Sequence, residues 1–263
     1  MTPLFTTSWA SNPKSSASMS RVPAYLFLGS ICSGKTTIIR RLDNILRLKG
    51  FNTVSIEVNI NHGLAYLATR FIATSSRYRY VGNYYLTLRF NNPRLFCKYL
   101  PLMMLLDALF IPLKYATTLL RKTLPSLRDR SVVILIDEYY PNAIVDYEYF
   151  ANELCRKKNS LARAIQNLFY RVAISHTIMT LKKFKPVLVV LIVSNPLVTI
   201  KLWRNRERSG ILDYAHFLYR TAGSIVLANN LRKYTRVMFF RVNDPRKDGI
   251  KILTSLFRDI VVR

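Results

Sequence analysis

Apolar and polar positions divide the chain into short apolar runs and longer amphipathic stretches. Ala24–Gly29 (AYLFLG) is an apolar run that ends at glycine, as expected of a strand buried on both faces. From Gly34 to Lys49, Ile38, Ile39, Leu42, Ile45 and Leu46 recur at helical spacing with Arg40, Arg41 and Arg47 elsewhere. Gly50 supplies the stop. Thr53–Val58 predicts a second strand and Gly63–Ala73 a second helix, whereas 75–92 is rich in Tyr and Arg and shows no clear period. Pro93–Leu120 predicts a long helical region broken at Pro101 and Pro112. Ser131–Ile136 is a third strand, ending at Asp137; Leu161–Phe184 is an amphipathic helix and Pro186–Val193 a fourth strand. Ile211–Leu231 is again helical, Arg236–Val242 a fifth strand and Gly249–Val261 a closing helix.

Apolar strands alternating with helical stretches imply βαβ crossovers and a parallel sheet covered on both faces. The fold class expected is α/β: a three-layer sandwich of five parallel strands between helices. No repeat and no change of composition divides 22–263, which is read as one domain. Residues 1–21, Ser/Thr-rich with Pro3 and Pro13, read as a flexible leader without the basic start and apolar run of a signal peptide. The run Tyr99–Leu113 contains Pro101, Asp107 and Pro112 and falls short of the about 20 apolar residues of a spanning helix. It reads as a core helix, giving a chain with no membrane span and a cytoplasmic location.

Composition adds one strong constraint. Over 263 residues, 40 Lys and Arg stand against 14 Asp and Glu, a net charge of +26. Such a charge predicts polyanionic ligands: nucleotides, nucleic acid or an anionic membrane surface. Cys32, Cys97 and Cys155 are odd in number and widely spaced. They predict neither a disulfide framework nor a metal cage, and a reducing interior.

Between the first strand and first helix stands Gly29-Ser30-Ile31-Cys32-Ser33-Gly34-Lys35-Thr36, which matches G-x-x-x-x-G-K-[ST] in its strand–loop–helix context. The glycines let the backbone turn so that successive N–H groups form a phosphate cradle at a helix N-terminus. Gly29, Ser30, Cys32, Ser33, Gly34, Lys35, Thr36 and Thr37 are therefore the candidate nucleotide-binding residues. Lys35 would reach the β- and γ-phosphates, and Thr36 would offer its hydroxyl to magnesium. Asp137, at the end of the third strand, is the candidate second metal-binding residue. Beside it, Glu138 is open to a water-polarising, acceptor or solvated role. Glu57, near the end of the second strand, is a candidate base toward an acceptor hydroxyl, with a surface ion pair as the alternative. His62 reads as structural. After the fourth strand, Arg204, Arg206 and Arg208 crowd three guanidiniums into five residues. That predicts a lid over about 197–210 that closes on a transferring phosphoryl group, or else a solvated basic face.

The phosphate loop, the acids after the third strand (DEYY) and RNRER before the last helices together resemble the thymidylate kinase-like branch of the P-loop nucleoside monophosphate kinases. The likeness is strongest to divergent, archaeal-looking members with a histidine-containing helix after the second strand, as in Asn61-His62-Gly63-Leu64-Ala65. It implies a five-stranded parallel sheet with a small helical lid, ATP and Mg²⁺ as cofactors, and γ-phosphoryl transfer to a nucleotide, with dTMP to dTDP as the specific expectation. Glu138 replaces the family's arginine, and Val58-Asn59-Ile60 replaces its charged residue and proline. Related deoxynucleoside kinases place a glutamate near Glu57. An acceptor pocket would draw on Arg77, Arg79, Tyr80, Tyr84, Tyr85 and Arg89, through ring stacking and bidentate guanidinium contacts. Adenine would sit near Asn243-Asp244-Pro245. The alternatives are a deoxynucleoside kinase, a P-loop ATPase, or a polynucleotide-associated nucleotide-binding protein. A homodimer and nucleic-acid contact are compatible with these readings and required by none.

Overall fold

β1 (Ala24–Gly29), β3 (Val132–Asp137) and β4 (Val187–Val193) are buried almost throughout, because each is covered on both faces and cannot spare a polar one. In the computed structural model the described residues are 23–57, 60–61, 63–80, 84–123, 132–137, 139–155, 160–193, 195–206 and 213–262. β2 (Asn52–Glu57) and β5 (Val237–Val242) are the partly exposed edges. All pairings are parallel, in the order β2-β3-β1-β4-β5. The chain departs from β1 to one side and returns on the other, so the carboxyl end of β1 is the topological switch point at which such sheets bind ligands.

Alternate strand residues feed two cores. Tyr25, Phe27, Val133, Leu135, Val189 and Leu191 pack under α1 (Lys35–Leu48) and α9 (Pro245–Val262). Leu26, Leu28, Ile56, Ile134, Ile136 and Val190 face the opposite layer. That layer contains α4 (Pro93–Thr123), α5 (Tyr140–Tyr149), α6 (Ser160–Phe184) and α8 (Tyr214–Leu231), with α2 (Leu64–Ser75) and α3 (Tyr84–Asn91) against α4. α7 (Pro196–Arg206) follows β4.

Two expectations are corrected, and one unassigned stretch takes shape. α4 runs unbroken for 31 residues through Pro101 and Pro112. Phe96, Leu100, Met104, Ala108, Ile111 and Tyr115 are buried along its length, and this packing outweighs the about 3 kcal/mol that an interior proline costs. The stretch after β3, to which the sequence pattern assigned no element, forms α5, continued by a π-helical turn over Phe150–Leu154. Its aromatic-rich sequence obscures any amphipathic period, since nearly all of α5 is buried. Cys97 and Cys155 are joined in a disulfide, with Cα atoms 5.4 Å apart across a separation of 58 residues. Packing of the π turn against the start of α4 brings them together; Cys32 stays outside this bond.

Cross-linking so long a loop restricts the unfolded chain, worth about 4 kcal/mol in the chain-entropy account. Cys97→Ser, or reduction, is expected to lower the unfolding free energy by roughly 2–4 kcal/mol. Urea unfolding with and without dithiothreitol measures this, and superimposable transitions would refute it.

Candidate active site

The phosphate loop is fixed to the sheet before it turns. Gly29 has φ +139°, and a Cβ there would lie 2.0 Å from the carbonyl oxygen of Leu191. No other residue fits where β1 leaves β4 so closely. Ser30 N–H donates to that same carbonyl at 3.0 Å, and Ser30 Oγ accepts from Val193 N–H at 3.3 Å. A 2.9 Å bond between Ser30 Oγ and Thr221 Oγ1 adds α8 to the anchor. Past the loop, Gly34 is left-handed and α1 begins at Lys35.

Lys35 is buried, and its Nζ donates to the carbonyl oxygens of Ser30 at 2.8 Å and Gly29 at 3.3 Å. Thr36 Oγ1 donates to Asp137 Oδ2 at 2.6 Å. β3 pairs directly with β1, which brings Asp137 level with Phe27 and Glu57. A hydroxyl and a carboxylate in contact at the loop mouth are hard oxygen donors of the kind magnesium takes, with its remaining positions left to waters and phosphates. No group of three or more His, Cys, Asp or Glu that could hold a metal occurs among the described residues.

The structure adds a buried ionic network that the sequence did not single out. Asp146 of α5 accepts from Arg220 Nη1 at 3.0 Å and from His216 Nε2 at 2.9 Å. Burial works to raise the Asp146 pKa, but Arg220, the His216 hydrogen bond and the charge of Lys35 hold it below the usual carboxylate range. Burial, with the charges of Arg220 and Arg89 adding to it, holds His216 below its ordinary pKa. The imidazole is therefore neutral and donates its Nε2–H to the carboxylate. α8 approaches α5 closely because Gly223 has no side chain: a Cβ there would stand 2.7 Å from Val145 Cγ1. Arg89 lies beside this network, ion-paired with Asp213 and over the rings of Phe90, Tyr149 and Phe150 at 5.0–5.4 Å. Asp213 also accepts from Tyr149 Oη at 2.9 Å and caps α8 by accepting from His216 N–H at 3.0 Å. Arg89 Nη1 is buried without a hydrogen-bond partner among the described residues. Spacings of 70 and 74 residues between Asp146 and its two partners left no local signal to find.

The remaining sequence candidates separate. Gly29, Ser30, Cys32, Ser33, Gly34, Lys35, Thr36 and Thr37 lie together on the loop and the first turn of α1. Glu57 is exposed at the end of β2, and its charge reaches Lys114 on α4. Arg77, Arg79 and Tyr80 are exposed between α2 and α3. Tyr84 packs edge-on against Tyr66 and Tyr80, with Arg70 over its ring. Tyr85 turns inward toward Phe150; Arg89 alone of the proposed acceptor arginines is buried. Asn243 and Asp244 donate their N–H groups to Asp248 Oδ2 at 2.7 and 2.9 Å, closing the turn into α9. Arg204 and Arg206 fall on the last turn of α7. Glu138, His62, Arg208 and residues 1–22 lie outside the described residues.

The sheet order, switch point and loop are those of a P-loop α/β fold. No protein-family model matches the chain, and no curated protein sequence matches it. Among solved structures, the thymidylate kinase of Ehrlichia chaffeensis matches with a TM-score of 0.42 and 13% identity, over 90% of this chain and 99% of that one. The match is a likeness to that kinase and carries no function across.

Two predictions follow from this geometry. Gly29→Ala is expected to displace the loop from β4 and abolish binding of magnesium–ATP, read by calorimetry; unchanged affinity would refute the close approach. His216 has a folded-state pKa below its unfolded value near 6.5, so the unfolded state takes up more protons as pH falls. Stability is therefore expected to decline below about pH 6.5, with a shallower slope in His216→Gln. Identical pH profiles of the unfolding midpoint would exclude His216 as the source.

Proposed function

We propose that this chain is an ATP- and magnesium-dependent phosphotransferase acting on a nucleotide, with dTMP as the first acceptor to test. The observation that carries this reading is the contact between Thr36 Oγ1 and Asp137 Oδ2 beside buried Lys35 at the mouth of the phosphate loop. Loop amides and Lys35 would grip the β- and γ-phosphates, and Thr36 and Asp137 would hold magnesium. When bound, the metal neutralises charge on the phosphoryl oxygens. Arg89, with its buried unpartnered Nη1, is the acceptor arginine best supported by its surroundings; Arg77, Arg79, Tyr80 and Tyr84 would line the outer side. Arg204, Arg206 and Arg208 would serve as a lid over the transferring group.

A second reading rests on Glu57, exposed and level with Asp137 at the same sheet edge. There it would accept the proton of a sugar hydroxyl, making the acceptor a deoxynucleoside rather than its monophosphate. An acceptor screen decides: ADP release with magnesium–ATP and each nucleoside, nucleotide or oligonucleotide in turn. Monophosphate-dependent release supports the first reading and nucleoside-dependent release the second. Release independent of any acceptor would overturn both in favour of an ATPase. Lys35→Ala is expected to lower kcat by about 10²–10³ or more, as loss of a preorganised cation at the reacting phosphate does. Arg206→Ala is expected to lower kcat more than ATP affinity, and an unchanged kcat would remove the lid.

A further inference from the structure

α4 has two opposed apolar faces. One, from Phe96 through Ile111 to Tyr115, is buried under the sheet. The other carries Leu102, Leu109, Leu113 and Leu120, all exposed, Leu109 to 62%. Pro93–Arg121 is long and apolar enough to cross a bilayer by length and composition, yet 39% of its most apolar stretch is buried within the protein. A helix with one face held by a sheet cannot pass through a membrane as a free span, but it can lie along one. Its neighbours continue the pattern. α2 lies against α4, with Thr69 Oγ1 3.3 Å from Met103 Sδ, and exposes Leu64, Leu67 and Phe71, the last to 72%. On the α6 side, Tyr115 meets His176 edge-on, and α6 exposes Leu161, Leu168 and Met179. On α2 and α4 the exposed apolar side chains recur in rows at helical spacing, where scattered single ones would be ordinary.

Charge selects the occupant. From residue 60 to 123 the only acidic residue is Asp107, which is buried, and 160–184 contains none. Arg70, Arg94, Lys98, Arg121, Arg171 and Lys182 are exposed on these helices. A second copy would bring together two sets of helices that carry no exposed carboxylate of their own, on chains that each carry +26. The leucine row of α4 also lacks the oppositely charged flanking positions that pair helices. An anionic lipid surface satisfies both halves of the pattern.

We propose that the face built by α2, α4 and α6 docks on an anionic lipid bilayer. The leucines and Phe71 enter the boundary between headgroups and acyl chains, and the arginines and lysines meet lipid phosphates. The proposal is independent of the phosphoryl acceptor. The test is co-sedimentation of the full chain with phosphatidylcholine vesicles, with and without phosphatidylglycerol. Binding is expected to the anionic vesicles only. Leu109→Glu combined with Phe71→Glu is expected to weaken it by about tenfold or more, with the unfolding midpoint and magnesium–ATP affinity retained. Both substitutions are at exposed positions. Lys98→Gln combined with Arg121→Gln supplies a second arm, expected to weaken binding at low salt more than at high salt. Equal binding to both vesicle types, or undiminished binding by the leucine–phenylalanine variant, would overturn the proposal. So would a dimer in light scattering that Leu109→Glu dissociates.

Discussion

A Cβ at position 29 would stand 2.0 Å from the Leu191 carbonyl oxygen, so β1 can leave the sheet at that point only as glycine. The carbonyl instead receives Ser30 N–H, and the loop begins from a backbone already bonded to β4. That constraint orients everything downstream. It aims the loop toward the switch point, sets Lys35 inside the turn and brings Thr36 against Asp137 on the other neighbour of β1. Two strands flanking β1 thus supply the two sides of one site, one through a carbonyl and the other through a carboxylate.

Around this loop the protein buries charge to an unusual degree. Asp146, His216, Arg220 and Arg89 are all nearly inaccessible. Taking such groups out of water is costly unless each charge meets an opposite one in good geometry. Asp146 is paired with Arg220, and Asp213 with Arg89. The two pairs are joined by aromatic rings, Tyr149 stacking on His216 at 4.8 Å and Phe150 lying between Arg89 and His216. The disulfide next to the π turn holds this aromatic segment against α4. Rigidity near the loop comes from this ionic and aromatic layer as well as from the two hydrophobic cores.

The strands and the phosphate loop were legible in the sequence because their signals are local. An apolar run ending in glycine and a lysine–threonine pair at fixed spacing need no knowledge of the rest of the chain. The integrity of α4 was not legible: Pro101 and Pro112 argue locally for a break, and only burial of the surrounding side chains against the sheet overrides them. α5 was hidden for a related reason. A helix buried on nearly every side has no polar face, so no period marks it. Among the candidate acceptor residues, Tyr80 and Arg89 read alike in sequence. The fold separates them, leaving Tyr80 on the surface and carrying Arg89 inward to Asp213.

By itself the sequence determined the five strands, the α/β class and the loop that begins the site, since each depends on neighbours a few residues away. The tertiary structure decided the Cys97–Cys155 bond, the pairing of Asp146 with His216 and Arg220, and the exposure of the second apolar face of α4. Those depend on which distant elements meet, and chain packing settles that where local propensity cannot.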